Sequence, residues 1–247
     1  MRTLGKADFI IPDWPAPTNV KAIQTTRVGG YSVAPFDSFN LGSHVQDDAF
    51  TVAKNRQRLS QYLPSEPVWL NQVHGVDVID AANSSCVQDA DASFTKNKNV
   101  VCVTMTADCL PVLLCNQQGT AVASIHAGWR SLCDGVIEAT IKSMGHEPEH
   151  LIAWLGPAIG PDAFEVGDDV RQAFTTQNPA YSQYFRPGAA GKWLADLPAL
   201  AAAKLQALGV NDITRSGLCT YNETDRFYSY RRDNVTGRMA TMIWITP

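Results

Sequence analysis

Apolar and polar positions along the chain fall into two patterns, one typical of strands and one typical of helices. Short runs of β-branched and apolar residues, bounded by Gly, Pro, Asn or Asp, predict strands. These runs occupy residues 68–74, 100–106, 110–115, 120–125, 151–155, 213–219, 227–231 and 239–245. Several of them follow one another directly, so sheet pairing within hairpins is expected.

Apolar residues at helical spacing predict three helices. The first follows the pair Asp47-Asp48, the second covers residues 132–144, and the third runs from Asp196 to Gly209. Asp is a common N-cap and Gly a common helix terminator, so the third helix has both ends marked. Because strands and helices do not alternate regularly, the pattern predicts an α+β fold, a mixed β-sheet or sandwich with flanking helices. No linker or repeat interrupts it, and residues 1–247 are expected to form one domain.

Composition narrows the class of partner. With 45% hydrophobic and 18% charged residues, the chain is not a disordered one. Its net charge of −4 and the absence of a Lys/Arg run predict no nucleic-acid partner and no membrane surface, and no apolar run reaches the ~18 residues of a membrane span. The 6 cysteines stand in a chain long enough to bury a core, which predicts reduced thiols and a cytoplasmic protein.

Polar residues of the kind that bind metals or act in catalysis stand where several strands are expected to end. Around the loop 116–119, a hairpin with Asn116 facing Gly119 would place Cys109 directly opposite His126. Opposed residues on one face of a sheet have Cβ atoms ~5 Å apart. That separation suits two ligands of one metal ion, or a thiol with its base.

A third candidate ligand is His74, at the end of the run 68–74. Two histidines and one cysteine with an open position form a catalytic zinc set. The same residues suit copper if a weak axial ligand such as Met105 is available. The alternative is structural: a hydrogen-bonded histidine at a strand end and a cysteine in the core.

Three further segments carry cations suited to an anionic ligand. Arg27 precedes Gly29-Gly30, Arg130 opens a predicted helix, and Arg231 ends an aromatic-rich run. Arginine binds phosphate and carboxylate in a two-pronged geometry, and helix N-termini attract anions. The alternatives are an ordinary Gly-Gly turn and a half-buried strand with a solvated end.

Taken together, these motifs closely resemble the YfiH/YlmD family, which is also labelled laccase-domain, polyphenol oxidase or peptidoglycan editing factor. The resemblance extends from about residue 9 to the end of the sequence. The motifs are, in order, Thr26-Arg27-x-Gly-Gly, Asn40-Leu41-Gly42-x-His44-Val45, Asn71-Gln72-Val73-His74-Gly75, Ala107-Asp108-Cys109, His126-Ala127-Gly128-Trp129-Arg130, Gly156-Pro157-x-x-Gly160 and Phe227-x-Ser229-x-Arg231.

The resemblance implies a fold grouped with the catalytic domains of cytotoxic necrotizing factors. It also implies a purine nucleoside phosphorylase that uses phosphate to split adenosine, inosine, guanosine and S-methyl-5′-thioadenosine, and that deaminates adenosine. The family's metal ligands fall on His74, Cys109 and His126, with zinc as the first expectation and copper as the second. Purine nucleosides and phosphate are then the partners of a monomer or homodimer.

For this leading hypothesis, phosphorolysis needs cations for phosphate and a proton for the leaving base. Candidate phosphate- and substrate-binding residues are Arg27, Arg130 and Arg231 as cations, with Ser32, Asn40, His44 and Asn71 as polar groups. For deamination, a metal ion lowers the pKa of water to roughly 7 and provides a nucleophile. Asp108 is expected to shuttle protons or to orient His126.

Three other functions compete. In a cysteine hydrolase or amidase that edits peptidoglycan precursors, Cys109 is the nucleophile and His126 its base, with Asp108 or Asn71 as the orienting group. Copper oxidation of phenols is weaker, because a multicopper site needs more imidazoles than 5 histidines easily provide. A non-enzymatic binding protein would leave the ligand-type residues at the strand ends unexplained.

Overall fold

Three β-sheets form the framework of the residues that the computed structural model describes, 8–189 and 191–247; residues 1–7 and 190 of the expected domain lie outside them. Their strands are β1 (Phe9–Ile10), β2 (Val20–Thr25), β3 (Val78–Asp80), β4 (Ala92–Thr95), β5 (Cys102–Thr106), β6 (Leu110–Asn116), β7 (Val122–Ala127), β8 (Leu151–Leu155), β9 (Glu165–Val166), β10 (Phe185–Pro187), β11 (Trp193–Ala195), β12 (Asp212–Arg215) and β13 (Met239–Ile245). The largest sheet has the order β12-β8-β6-β7-β4-β3 and is mixed, because β12 and β3 pair in parallel with their neighbours. A four-stranded antiparallel sheet has the order β1-β2-β13-β5, and a small third sheet has the order β10-β11-β9.

The two larger sheets pack face to face. Ile243 of β13 and Leu113 and Val122 of the six-stranded sheet belong to one buried apolar cluster. Thr104 of β5 also points into the space between the two sheets, because side chains alternate along each strand. Its hydroxyl lies 2.9 Å from that of Ser124 on β7. A sandwich therefore encloses one core, and a second, larger core lies beyond the six-stranded sheet.

Helices cover the outer faces of this sandwich. They are α1 (Ala49–Ser60), α2 (Trp129–Asp134), α3 (Val136–Met144), α4 (Asp168–Gln177), α5 (Leu197–Leu208) and α6 (Tyr230–Asp233). Asp48 caps α1 by accepting from Thr51 N, and Asp196 caps α5, which ends at Gly209 with φ 103°. Both helices were predicted from those caps. The prediction of one helix over residues 132–144 is wrong, because Gly135, also at φ 103°, separates α2 from α3.

The predicted α+β architecture, a mixed sheet or sandwich with flanking helices, is confirmed, and the likeness to cytotoxic necrotizing factors stays a prediction. Two predicted strands are wrong. Residues 68–74 make isolated bridges only, since the Gln72 side chain takes the place of a strand partner by bonding both N and O of Met105. Residues 227–231 turn into α6, whose first turn is capped by Ser229. None of the described helices combines the length and apolarity needed to cross a bilayer.

Candidate metal centre

His74, Cys109 and His126 meet at one end of the sandwich. Their ligand atoms all lie within 4.8 Å of one another, and Cys109 Sγ is 3.8 Å from His74 Nε2. The two imidazole rings are edge to face, with centroids 4.8 Å apart. His126 is buried, Cys109 is partly buried and His74 is exposed, so the group opens to solvent on the His74 side. Within the described residues, this is the group of three or more such side chains that could hold a metal ion.

The hairpin that carries Cys109 and His126 has a different register from the predicted one. His126 pairs with Pro111, and the strands close at Asn116 and Ala121, two positions away from the expected register. The Asn116 side chain accepts from Thr120 N and Ala121 N, so Asn116 ends β6 and organises the turn. Because the side-chain period of a strand is two, this shift leaves Cys109 and His126 on the same face.

A glycine makes room for the ligands. A Cβ added to Gly128 would lie 2.8 Å from His74 Cδ2 and 3.2 Å from Cys109 Sγ. Two imidazoles and a thiolate are ligands of both zinc and copper, so the donor set fits either ion.

Asp91, which was not predicted from the sequence, holds His126 and the loop that carries His74 in place. It is fully buried, and its Oδ1 lies 2.7 Å from His126 Nδ1. The same carboxylate accepts from three consecutive backbone N–H groups, those of Val73 at 3.1 Å, His74 at 3.0 Å and Gly75 at 2.6 Å. One carboxylate therefore fixes both the ring of one ligand and the loop that carries another, as outer partners of metal-binding histidines commonly do.

A recognisable signal for Asp91 lies in the register of β4. Ala92 pairs with Ile125, so Asp91 stands directly opposite His126 across the sheet. A strand predicted at β4 would have revealed this pairing, but the short segment between Asp91 and Lys96 was not predicted to be a strand.

Without a metal ion, Cys109 and His126 form a coupled acid–base pair. Burial raises the pKa of the Cys109 thiol, but the imidazoles of His126 and His74 outweigh burial and lower it to about 6. Burial lowers the pKa of His126, yet the Cys109 thiolate and Asp91 raise it to about 9. Between these values the pair is a thiolate and an imidazolium, a form that suits nucleophilic chemistry, whereas metal ligation uses the thiolate and requires loss of the His126 proton.

Asp108 does not contact His126 through a hydrogen bond, and Asp91 holds that position. Asp108 accepts from Thr220 Oγ1 at 2.7 Å, Ser229 Oγ at 3.0 Å and Arg231 N at 2.6 Å. Its φ of 94° is one that residues with a side chain rarely adopt. Asp108 thus ties the Cys109 turn to the segment that leads into α6, and a role in proton transfer stays a prediction.

Most of the other predicted binding residues make structural contacts. Ser32 Oγ donates to Asp47 Oδ2 at 2.7 Å, and Asn40 Nδ2 donates to the same oxygen at 2.9 Å. The Arg27 guanidinium donates to the backbone of Asp37 and lies 4.9 Å from the centroid of the Tyr228 ring. These contacts hold the loop that precedes His44, and direct substrate binding by these residues stays a prediction.

The remaining candidates lie at the surface. Asn71 donates to Asp89, the exposed Arg130 stacks on Trp129, and the Arg231 guanidinium donates to the Glu165 carbonyl at 2.7 Å. Their contribution to substrate binding stays a prediction.

His44 interacts electrostatically with His126 of the group formed by His74, Cys109 and His126, called the metal-ligand group below. Its pKa is lowered by partial burial first, then by the positive charges of Arg238 and Arg56, and by His126. Arg238, which the sequence analysis did not select, is in turn influenced by Cys109 and Asp108.

Comparison with known proteins places this geometry in a family. The model described as multi-copper polyphenol oxidoreductase laccase matches residues 21–246. A purine nucleoside phosphorylase of Pseudomonas aeruginosa is 51% identical over 96% of this chain and 98% of its own length. The purine nucleoside phosphorylase YfiH of Escherichia coli is 50% identical over the same shares.

Solved structures agree with this similarity. A Neisseria meningitidis protein superposes with a TM-score of 0.94 at 48% identity and covers 97% of this chain and 100% of its own. YlmD of Geobacillus stearothermophilus superposes with a TM-score of 0.91 at 29% identity, with 99% and 98% covered. The resemblance to the YfiH/YlmD proteins is confirmed, and the chain belongs to the multi-copper polyphenol oxidoreductase laccase family.

Proposed function

We propose that this protein is an enzyme, a purine nucleoside phosphorylase that cleaves the bond between base and ribose with phosphate. The observation that carries the proposal is the similarity, over nearly the whole chain, to proteins that bear this name. The candidate substrates are adenosine, inosine, guanosine and S-methyl-5′-thioadenosine. The geometry supports the proposal through a group of polar side chains that is held in place by Asp91 and opens to solvent.

The chain's own residues supply binding and orientation. A phosphate oxygen attacks ribose C1′ while the purine leaves and takes up a proton, so the protein must hold an anion and keep the two reactants in line. Tyr230 is exposed beside Arg238, 5.9 Å from ring centroid to guanidinium carbon, and offers a face on which a purine stacks. His74, Cys109 and His126 would hold the metal ion, for which we propose zinc. A bound metal ion supplies Lewis-acid chemistry.

The same donor set supports a second activity. Zinc deaminases that act on nucleobases use a similar mixture of imidazole and thiolate ligands. Deamination of adenosine is therefore part of the proposal. Its test is the release of ammonia from adenosine in the absence of phosphate.

Two alternatives make different use of the site. In the metal-free protein, the lowered pKa of Cys109 and the adjacent His126 fit a cysteine hydrolase or amidase. Copper oxidation of phenols is supported by the family's description alone. A multicopper site needs more imidazoles than the ligand group in the described residues offers, which is two imidazoles and one thiolate.

All 6 cysteines are unpaired, which supports a cytoplasmic enzyme.

The test starts with protein purified without chelator. Elemental analysis is expected to give about one zinc ion per chain, lost in Cys109→Ser and kept in Cys86→Ser, the exposed-cysteine control. The zinc-loaded protein is then incubated with each nucleoside and phosphate, and free base and ribose 1-phosphate are measured. Equal phosphorolysis by wild type and Cys109→Ser would remove the metal group from the mechanism, and no phosphorolysis by either would refute the proposed function.

A further inference from the structure

Arg238 lies where the four-stranded sheet meets the metal-ligand group. Met239 pairs with Thr106, so Arg238 stands beside Ala107, two residues before Cys109. Its backbone N donates to Asn40 Oδ1 at 2.9 Å, and its carbonyl accepts from Leu41 N. The backbone at this point is therefore held from both sides.

The Arg238 guanidinium uses only part of its hydrogen-bonding capacity within the described residues. Its Nη1 donates to the carbonyls of Thr236 and Gly237, both at 3.0 Å, and these are its hydrogen bonds within the described residues. No carboxylate of those residues forms an ion pair with it. The nearby Asp108 carboxylate is already occupied by Thr220, Ser229 and the Arg231 backbone. Positive charge and free N–H groups thus remain beside the metal-ligand group.

The loop that carries His44 rests on Arg238. A Cβ on Gly42 would lie 2.8 Å from Arg238 Cγ, so glycine permits this close approach. A second guanidinium, that of Arg56, supports the loop by donating twice to the Leu41 carbonyl, at 3.0 and 2.9 Å, while it stacks on Trp69. Two cations therefore hold the loop that carries His44, and the pKa of His44 is lowered by burial first and then by both of them.

We infer that Arg238 and His44 form the phosphate subsite of the proposed phosphorylase. The inference rests on the proposed function, which requires phosphate beside ribose at the metal-ligand group. Guanidinium is suited to phosphate because its N–H groups bind two oxygens at once. The Asp108 carboxylate offsets part of this charge, but its oxygens are committed to other donors, so the free N–H groups of Arg238 stay available to phosphate.

Direct binding of inorganic phosphate to the zinc-loaded protein tests the subsite. Equilibrium dialysis with labelled phosphate, without nucleoside, is expected to show about 10- to 100-fold weaker binding in Arg238→Met, and Arg238→Lys should recover part of the loss. His44→Gln, on an exposed loop, is expected to weaken binding in the same direction even if Arg238→Met folds poorly. Arg171→Met, on α4, is the matched control and should bind like wild type.

Steady-state kinetics separate the subsite from the reaction. The KM for phosphate is expected to rise in Arg238→Met and His44→Gln, while the KM for nucleoside stays near the wild-type value. Phosphate binding that is equal in wild type and both variants overturns the inference, as does a wild type that binds no phosphate. Phosphate binding that depends on Arg238, with no phosphorolysis, would support the subsite while refuting the proposed function.

Discussion

Replacement of Asp91 by Asn tests whether this carboxylate organises the metal centre. Each oxygen of Asp91 accepts from two donors, Oδ1 from His74 N and His126 Nδ1 and Oδ2 from Val73 N and Gly75 N. An amide of the same shape can accept through one oxygen only. If the amide nitrogen faces Val73 N and Gly75 N, two of the four contacts become donor-to-donor contacts in a fully buried place. If it faces His74 N and His126 Nδ1, at least one does, because Nδ1 can accept in the other histidine tautomer.

The magnitude follows from these contacts. Hydrogen bonds to a charged group contribute about 1.5–3 kcal/mol each, so the loss of one or two lowers the free energy of unfolding of the metal-free protein by about 1.5–6 kcal/mol. Loss of the outer partner of a ligating histidine weakens metal binding by about 10- to 100-fold. We expect both effects in Asp91→Asn, and neither in Asp212→Asn, an exposed position on β12.

Urea unfolding of the metal-free variants and competition of zinc with a chelator measure the two quantities. Burial raises the pKa of Asp91, but His126 and the backbone N–H groups of Gly75 and Val73 outweigh it and lower the pKa from 3.8. The carboxylate's contribution is therefore present above that value and is lost as pH falls through the lower folded-state pKa. The difference between wild type and variant should narrow in acid. Wild-type zinc affinity and stability in Asp91→Asn would refute the reasoning.

Three further predictions concern the same end of the sandwich. Gly128→Ala places a methyl 2.8 Å from a ring carbon of His74 and 3.2 Å from Cys109 Sγ, so chelator competition should show about 10-fold weaker zinc binding, and unchanged affinity would contradict the steric argument. In metal-free protein, the rate of Cys109 alkylation by iodoacetamide should rise with a midpoint near pH 6, because the thiolate forms at about that pH; a midpoint near 9 would contradict the influence of the two imidazoles. Removal of a positive charge in Arg238→Met should raise the pKa of His44, measured by NMR titration of its ring protons, and an unchanged pKa would show that the two side chains are not neighbours.

Features set by local sequence were predictable. The helix caps Asp48 and Asp196 and the terminator Gly209 were identified because a cap involves residues three or four positions apart. The paired strands β6 and β7 were also identified. Their register was not, because it depends on the Asn116 side chain, which bonds the turn and so moves the closing pair to Asn116 and Ala121.

Features set by long-range contacts were not predictable from the pattern. The strand expected at residues 68–74 is absent from the described structure because the Gln72 side chain bonds Met105, a contact that spans 33 positions. Asp91 was missed for the same reason, since its donors are residues 73–75 and His126. The structure brings His74, Cys109 and His126 together, although the strand expected to end at His74 is absent from the described residues, and their role as metal ligands stays a prediction.

Because Asp91 holds the candidate ligands in place before any metal ion binds, folding does not decide which metal ion the centre contains. In small zinc domains, binding of the ion drives folding. Here residues 73–75 and the His126 ring are fixed by a carboxylate, so an incoming ion is not selected by a folding transition. Ions then compete by ligand preference, in which Cu²⁺ outranks Zn²⁺, and by supply. We expect the metal content of a preparation to record the ions it met, so the working metal is identified by loading one metal-free sample with each ion in turn.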